Sequence, residues 1–304
     1  MGNTRRFYLA VLILGLLTDP SIGYTQQHTD IIAKGATLEL ISGQFSFTEG
    51  PAVDKAGNIF FTDQPNNKIW KYDTAGKLSL FIDKAGRSNG THFDKKGNLV
   101  TCADENGQLW SIDPRGKKKV LLKDFNGHRF NGPNDLWIDQ GGGIYFTDPY
   151  FQREYWTRKK PDPGINGENL YYLPAGKTKA IVVDHDLGRP NGIVGSPNGK
   201  WLYVADMSKN TIFKYAINNR GSLLNRQPFA PETSDGMKLD ERGNLYLTNN
   251  GVSVYDPTGK KIDHIDVPAK WTANLCFGGK NRDILFITAC ESVYIIHMNV
   301  KGVE

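Results

Sequence analysis

The chain alternates between short runs of β-branched and aromatic residues and short polar segments rich in Asp, Asn and Gly. Runs such as residues 58–63 (NIFFTD), 68–73 (KIWKYD) and 243–249 (GNLYLTN) are typical of β-strands, and the segments between them are typical of tight turns. No convincing amphipathic helix interrupts this pattern. The best helical candidate, residues 150–160, falls in a stretch with several Pro and Gly residues, 149–169, which we expect to be a loop.

One sequence unit recurs six times. Each copy opens on a polar residue, and in most copies an Asp follows five residues later and a Gly eight residues later, before a β-rich run. The copies begin at Glu49, Asn89, Asn134, Asn191, Asp235 and Asn274. An Asp-x-x-Gly step between strands predicts a hairpin turn that the Asp caps and in which the Gly takes positive φ. The fourth copy carries Ser196 in place of the Asp, and the sixth lacks the Gly, so its turn must differ.

The copies recur every 39–57 residues, and most are followed by a further strand signal. A repeat of about 40–45 residues carrying four short strands is the signature of a propeller blade. The sequence therefore predicts an all-β, six-bladed β-propeller of four-stranded blades, forming a single domain over residues 24–304, with the 149–169 loop over one mouth. A β-sandwich would not repeat one polar position six times, and an α/β fold would need amphipathic helices.

The leading polar residues form the candidate site, because the first strand of each propeller blade lines the central channel. Two carboxylates and four amides are then expected to converge on the axis. Carboxylates placed close together repel unless a cation or a proton lies between them. Oxygen ligands without Cys or His favour a hard divalent cation, above all Ca²⁺, with Zn²⁺, Mg²⁺ or Mn²⁺ as other options. The alternative is that these residues cap strand ends, since Asn and Asp favour turns.

A metal held by few protein ligands could polarise a carbonyl or phosphoryl oxygen. Asp235 is the candidate catalytic residue, as general base or nucleophile, although a metal-bound carboxylate has a lowered pKa and is a weaker base. Three functions stay open from the residues alone: hydrolysis of a small ester or lactone, phosphotriester or arylester hydrolysis at the same centre, and a non-catalytic propeller that binds a ligand.

Several segments resemble the SMP-30/gluconolactonase/LRE family of calcium-dependent lactonases. They are FTEGPAVD, FNGPNDLWID, GRPNGIVGSPNGKWLYVAD, SDGMKLDERGNLYLT and VPAKWTANLCFGG, and together they span the chain from about residue 45. The resemblance implies a six-bladed propeller that opens a lactone ring, such as that of gluconolactone. It also assigns roles in the site. The implied metal ligands are Glu49, Asn134, Asn191 and Asp235, the implied base is Asp235, and the residues expected to face substrate are Asn89, Asn134 and Asn274.

Two departures from the family lie near the substrate side. Many relatives carry an Arg two residues before the Asn of the third blade, where this chain has Gly132. Bacterial members often carry Cys-Glu-His after the second-blade strand, where this chain has Cys102-Ala103-Asp104. Both changes put the identity of the lactone in question more than the metal.

Other features narrow the cellular setting. Arg5 and Arg6, an apolar run to Leu17 and small residues up to Gly23 are typical of a signal peptide over residues 1–23, so we expect a periplasmic or secreted protein with no membrane association after cleavage. A formal net charge of +5 without aromatic-interleaved basic clusters gives no support for nucleic-acid binding. A monomer acting on a small molecule is expected.

The remaining reactive residues have simpler interpretations. The three cysteines, Cys102, Cys276 and Cys290, lie in strand-like sequence and are expected to be buried thiols, with a Cys276–Cys290 disulfide as the alternative. His92 and His128 are more simply structural or exposed than catalytic. The aspartates that end second strands, Asp63, Asp148 and Asp206, are expected to cap turns.

Overall fold

A computed structural model describes residues 1, 2 and 30–304. The predicted signal peptide, residues 1–23, lies outside the described residues apart from its first two. The described chain contains 24 β-strands and no helix. The strands form six four-stranded antiparallel sheets, as the repeat predicts.

The strands follow one another in chain order within each blade. The first three blades contain β2 (Thr48–Val53), β3 (Ile59–Asp63), β4 (Lys68–Tyr72) and β5 (Leu78–Asp83); β6 (Ser88–Phe93), β7 (Leu99–Ala103), β8 (Gln108–Ile112) and β9 (Lys118–Leu122); and β10 (Leu136–Ile138), β11 (Ile144–Asp148), β12 (Asn169–Leu173) and β13 (Ile181–Asp184). The last three contain β14 (Pro190–Gly195), β15 (Trp201–Asp206), β16 (Thr211–Ile217) and β17 (Leu223–Ala230); β18 (Met237–Leu239), β19 (Leu245–Asn249), β20 (Gly251–Tyr255) and β21 (Lys261–Ile265); and β22 (Asn274–Gly278), β23 (Ile284–Ala289), β24 (Ser292–His297) and β1 (Glu39–Ser42).

The sheets close into a ring through their innermost strands. β2 contacts β6, β6 contacts β10, and the series continues through β14, β18 and β22 back to β2. The ring is fastened in the sixth blade, where β1 pairs antiparallel with β24 and so joins the two ends of the domain. The prediction of a six-bladed propeller is therefore confirmed, and the first strand of every blade faces the axis.

The predicted turn chemistry explains the hairpins between first and second strands. In the first blade, Oδ1 of Asp54 accepts hydrogen bonds from the backbone N–H groups of Ala56 and Asn58, and Gly57 has a φ of 95°. In the fourth blade, where Ser196 stands in the Asp position, Asn198 accepts the backbone N–H of Lys200 instead. In the first five blades the Asp or its substitute thus fixes the turn, and with it the register that aims the first strand inward.

Aromatic side chains fill the wedges between neighbouring blades. Phe61 and Phe286 are fully buried where the first blade meets the sixth, with ring centroids 5.3 Å apart. Tyr246 and Phe277 meet edge to face at 5.2 Å between the fifth and sixth blades. Burying one such side chain contributes about 1.5–3 kcal/mol to stability, so these contacts hold the blades at a fixed spacing around the channel.

Two further sequence expectations concern cysteines and membrane segments. All three cysteines are free thiols; Cys102 and Cys276 are buried, whereas Cys290 lies in the turn after β23 and is partly exposed, so the expectation of three buried strand cysteines was wrong for Cys290. Among residues 1, 2 and 30–304, none belongs to a helix of the length and apolarity that a bilayer span requires.

Candidate active site

The leading polar residues of the six blades converge at one end of the channel, and all six side chains are buried. Five of them line a single cavity of about 290 Å³, namely Glu49, Asn89, Asn134, Asn191 and Asp235. The sixth, Asn274, contacts this group through a hydrogen bond from its Nδ2 to Oε2 of Glu49, 3.2 Å long. The structure thus brings together every residue that the repeat placed in the ring.

The ring residues do not all lie within strands. Asn134 and Asp235 each precede the first strand of their blade by two residues, whereas the other four lie within theirs. Neighbouring blades hold the ring in place through threonines on second strands. The Thr62 hydroxyl donates to the carbonyl of Asn89 over 3.2 Å, and the Thr147 hydroxyl donates to that of Asn191 over 2.8 Å. The ring positions of the second and fourth blades are therefore each fixed by the blade before them.

The surroundings of Glu49 disfavour the ionised form of its carboxyl group. Burial raises the pKa of Glu49 well above its usual range, and the negative charges of Asp235 and Asp135 raise it further. Hydrogen bonds from the Gly50 backbone N–H, at 2.5 Å, and from Asn274 act in the opposite direction. Burial and the neighbouring carboxylates therefore favour the protonated form of this side chain, whereas a nearby cation would favour the ionised form.

Asp235, the ring residue of the fifth blade, is held by Trp271 from the segment that leads into the sixth blade. Burial raises the pKa of Asp235 to about 6, against the effects of the Trp271 indole, of the positive charge of Arg153 and of the Asn191 amide. The indole Nε1–H donates to Oδ2 of Asp235 over 2.5 Å. A carboxyl group with a pKa near neutrality and a fixed orientation is suited to accept a proton during a reaction.

Small residues follow several ring positions because the blades approach so closely. Gly50 has a φ of 42°, and a Cβ placed there would lie 2.1 Å from the carbonyl oxygen of Asn89. A Cβ at Gly236, directly after Asp235, would lie 2.1 Å from Cγ of Asn274. Only glycine leaves room for the next blade's ring residue at these two points.

Two buried charged side chains follow ring residues in the chain and act on each other electrostatically. Asp135 follows Asn134 and is 2% exposed, and Lys238 follows Asp235 by three residues and is 3% exposed. Burial raises the pKa of Asp135, and the charge of Lys238 partly offsets this effect. Burial alone would lower the pKa of Lys238, but the negative charges of Glu304 and Asp135 outweigh it and raise the pKa. Lys238 therefore stays protonated and compensates the carboxylates of the channel.

The segment 149–169 covers part of the mouth, as the sequence predicts, and brings two side chains to the cavity, Phe151 and Arg153. Tyr155 fastens the segment by donating from its hydroxyl to Oδ2 of Asp104 over 2.5 Å. Trp271, Met207 and Phe47 complete the lining. The repeat could not indicate any of these residues, because they lie outside the leading positions; the KWTAN motif, which contains Trp271, was the one available signal.

The donor set fits a hard divalent cation. Among the described residues, no three His, Cys, Asp or Glu side chains are grouped to hold a metal ion, so any metal here depends on two carboxylates and amide oxygens. Oδ1 of Asn89 and Oδ1 of Asn191 are buried and accept no hydrogen bond from the described residues. Buried acceptors without donors are costly. A cation ligated by oxygen would satisfy that of Asn191 while balancing the two carboxylates, and a hydroxyl group of a bound ligand would satisfy that of Asn89.

The other candidate residues lie away from the cavity. His92 contacts Glu304, and burial lowers the pKa of its imidazole, while His128 is largely exposed beside Asp162. Neither histidine is among the cavity-lining residues.

The aspartates that end second strands, Asp63, Asp148 and Asp206, accept hydrogen bonds from backbone N–H groups and so have a structural role. Asp63 accepts the backbone N–H groups of Ser46 and Phe47, which lie in the segment that enters its own blade. Asp148 and Asp206 make the equivalent pairs of hydrogen bonds in the third and fourth blades. They therefore cap the segments that lead to the ring, and Asp206 also caps the turn that follows it.

Comparison with known proteins agrees with this geometry. The chain is 28% identical to a gluconolactonase of Zymomonas mobilis over 90% of this chain and 84% of that protein. It is 30% identical to the lactonohydrolase oryL of Aspergillus oryzae over 60% of this chain and 48% of that protein. The solved structure of a gluconolactonase from Xanthomonas campestris superposes with a TM-score of 0.81 at 27% identity, covering 86% of this chain and 90% of that one. A family model described as SMP-30/Gluconolactonase/LRE-like region matches residues 47–291, and the chain belongs to this family.

Proposed function

We propose that this protein is a divalent metal-dependent lactonase that opens the ring of a sugar lactone such as gluconolactone. The observation that carries the proposal is the cavity in which two buried carboxylates, Glu49 and Asp235, face amide oxygens that accept no hydrogen bond. The relatives named as gluconolactonases and lactonohydrolases support the reaction class.

The residues that would hold the metal are Glu49, Asn134, Asn191 and Asp235. Ca²⁺ fits this set best, because it accepts carboxylate and amide oxygens in flexible geometry. When bound, such an ion supplies Lewis-acid polarisation of the ester carbonyl. Its positive charge would also lower the pKa values of Glu49 and Asp235, so that both side chains are ionised at neutral pH.

Asp235 is the proposed general base. Its Oδ2 is held by the Trp271 indole, so the carboxylate has a fixed orientation toward the cavity. It would accept the proton of the attacking water at a carboxylate oxygen. Asn89, Asn134 and Asn274 are the proposed substrate-side amides; of these, Asn89 and Asn134 line the cavity, where amide groups can donate to ring hydroxyls.

Export is a separate part of the proposal, supported by the basic, apolar and small-residue pattern of residues 1–23. Amino-terminal sequencing of protein recovered from the periplasm or the medium tests it. A chain that begins near residue 24 is expected, and an intact chain retained in the cytoplasm would contradict export.

The decisive experiment measures hydrolysis of aldonolactones by the purified protein, first stripped of metal with a chelator and then reconstituted with Ca²⁺, Mg²⁺, Mn²⁺ or Zn²⁺. Turnover that is lost on chelation and restored by metal is expected. Asp235→Asn should abolish turnover, whereas Asp266→Asn, at a fully exposed position, serves as the matched control. Metal-independent turnover would contradict the metal's role. Activity on a phosphotriester but on no lactone would reassign the substrate, and metal binding without any hydrolysis would indicate a binding protein.

A further inference from the structure

We propose that Arg153 is a substrate-binding residue that gives the enzyme a preference for lactones bearing an anionic substituent, such as a carboxylate. This inference rests on the proposed lactonase function and specifies its substrate class. The family resemblance did not indicate it, because the Arg that many relatives place before the third-blade Asn is replaced here by Gly132.

Arg153 has donors that the protein leaves unused. It is the one cationic side chain among the described residues that line the cavity, and it is 26% exposed. Its buried Nε has no hydrogen-bond acceptor in the described chain. The nearest carboxylate oxygen, Oδ2 of Asp104, is 3.6 Å away, and it already accepts from Tyr155 and from Gln64. The buried Nε lies toward Asp104, whereas the Nη groups of Arg153 donate to no described residue and can bind an acceptor that a ligand provides.

Asp104 lies one residue beyond the position that the strand-end aspartates of other blades occupy, and this shift changes which groups it contacts. In the first, third and fourth blades, the aspartate that ends the second strand caps backbone N–H groups of the same blade. In the second blade that position is Ala103, which pairs with Ser88 as Asp63 pairs with Thr48. The carboxylate stands one residue later, where its partners are Tyr155, Gln64 and Arg153. The aspartate of the second blade thus anchors the segment 149–169 instead of capping its own blade.

The segment that carries Arg153 is held on both sides. The Arg87 guanidinium lies 4.2 Å from the centroid of the Tyr155 ring. Trp156 is 4% exposed and packs over Gly132, where a Cβ would lie 3.0 Å from the indole and 2.7 Å from Oδ1 of Asp104. Gly132 therefore makes room for the segment. The cation that a side chain at position 132 would supply comes instead from Arg153, on a support anchored by stacking and hydrogen bonds.

The net charge of the metal-loaded cavity favours binding of an anionic group near Arg153. In the proposed metal-loaded site, a divalent cation balances Glu49 and Asp235, and Arg153 then adds a positive charge at the edge of the cavity. Asp104 compensates this charge only in part, because Arg158 and Arg129 also act on it electrostatically. A planar guanidinium binds carboxylates in a bidentate manner and binds neutral hydroxyls less strongly. The expected substrate therefore carries an acidic group remote from the ester.

The test compares two lactones of the same ring size, a neutral aldonolactone and an aldarolactone with a free carboxylate, using Ca²⁺-loaded protein. For Arg153→Gln, assayed at pH 8, we expect the ratio of kcat/KM on the aldarolactone to kcat/KM on the neutral lactone to fall roughly 10- to 100-fold, because a change in the Asp235 carboxyl affects both substrates alike. Arg153→Lys should recover part of the loss, and Arg220→Gln, in a remote exposed turn, is the matched control. Equal losses on both lactones, or no loss on either, would overturn the proposal.

A binding measurement separates this inference from the proposed function. Calorimetry with the hydrolysed product, an aldarate dianion, should show binding by the wild type that weakens at least tenfold in Arg153→Gln, with both proteins saturated with calcium and with unchanged Tm. If the wild type hydrolyses neither lactone, lactonase activity fails as the proposed function, while the aldarate difference still supports an anion site. If Arg153→Gln binds aldarate as the wild type does, the anion site is wrong whatever the turnover.

Discussion

The indole Nε1–H of Trp271 donates a 2.5 Å hydrogen bond to Oδ2 of Asp235 and so joins the segment before the sixth blade to the ring residue of the fifth. Trp271 precedes Asn274 by three residues, and Asn274 in turn donates to Glu49 of the first blade. The two carboxylates of the cavity are therefore positioned by one short segment of the chain. Their separation depends on that segment as much as on their own blades.

The first prediction follows from this bond. Trp271→Phe keeps the apolar ring but removes the donor, and a hydrogen bond to the charged form of a carboxylate lowers its pKa. The pKa of Asp235 should therefore rise relative to its value in the wild type, in the metal-loaded as in the metal-free protein. We expect the acid limb of the kcat/KM profile to move up by about one pH unit, with activity near pH 8 largely kept.

A pH–rate series on the wild type and on Trp271→Phe measures this shift. Trp201→Phe, at the start of β15 and outside the residues that line the cavity, is the control for the loss of an indole. An acid limb that stays in place would show that the indole does not act on the titrating group.

The fold could be predicted because the spacing of polar, Asp and Gly residues along the chain reveals the repeat. One polar position recurs in six copies, and a position shared by all blades must face the common axis. The turn residues could be predicted as well, since Asp54 and Gly57 act locally, within a few residues of one another. Even the departure of the sixth copy has a counterpart in the structure, where Gly279 and Arg282, both with positive φ, form a different turn.

The rest of the cavity depends on contacts that spacing does not encode. Trp271 lies just outside a repeat unit, and Arg153 lies in the longest gap between units, so neither shares its position with other blades. Asp104 is displaced by one residue from the strand-end aspartates, and only the packing of Tyr155 shows what it binds. Sequence reasoning finds what the blades have in common, whereas the specificity of the cavity comes from the places where they differ.

A second prediction concerns protons released on calcium binding. In the metal-free protein the pKa values of Glu49 and Asp235 are raised, that of Asp235 to about 6. Metal ligation requires the ionised forms, so calcium must displace the protons that these groups hold. The apparent calcium affinity should therefore be highest above pH 7 and should fall as pH drops through 6, by up to about tenfold per pH unit for each proton displaced.

Calorimetry in buffers of different ionisation enthalpy measures the proton count directly. Glu49→Gln should bind calcium more weakly and release fewer protons, while Glu291→Gln, on the exposed turn after β23, should behave as the wild type. A calcium affinity that is constant between pH 5 and 8 would contradict ligation by these two carboxylates.

A third prediction tests the close approach of two blades. Gly236→Ala would place a methyl group 2.1 Å from Cγ of Asn274, so the amide must move away from Glu49. We expect calcium affinity and lactonase activity to fall at least tenfold, with a loss of stability of about 1–3 kcal/mol from the overpacked contact. Gly199→Ala, in an exposed turn with open space around it but a φ of 68°, controls for strain without a clash. Equal effects of the two substitutions on calcium binding would show that the clash with Asn274 is not the cause.

A fourth prediction concerns the buried cation of the channel. The ammonium of Lys238 lies 3.5 Å from Oε1 of Glu304, and its charge also acts on Asp135, whose Oδ2 accepts no hydrogen bond from the described residues. Lys238→Met keeps most of the volume but leaves these carboxylates without their cation. Removing one partner of a buried pair costs about 3–5 kcal/mol. The free energy of unfolding in urea at pH 8 should fall by this amount.

The pH dependence of that loss distinguishes charge from packing. Without Lys238 the pKa of Asp135, already raised by burial, should rise further, so the folded variant would bind a proton that the unfolded chain releases. A carboxyl group with a raised folded-state pKa destabilises the fold progressively as pH increases above its unfolded value, so the stability deficit of Lys238→Met should shrink as pH falls from 8 to 5.

Adding Glu304→Gln should recover part of the stability at pH 8, since it removes one of the uncompensated charges. Lys260→Met, in an exposed turn, controls for the substitution itself. A deficit that is the same at pH 5 and pH 8 would assign Lys238 to packing alone.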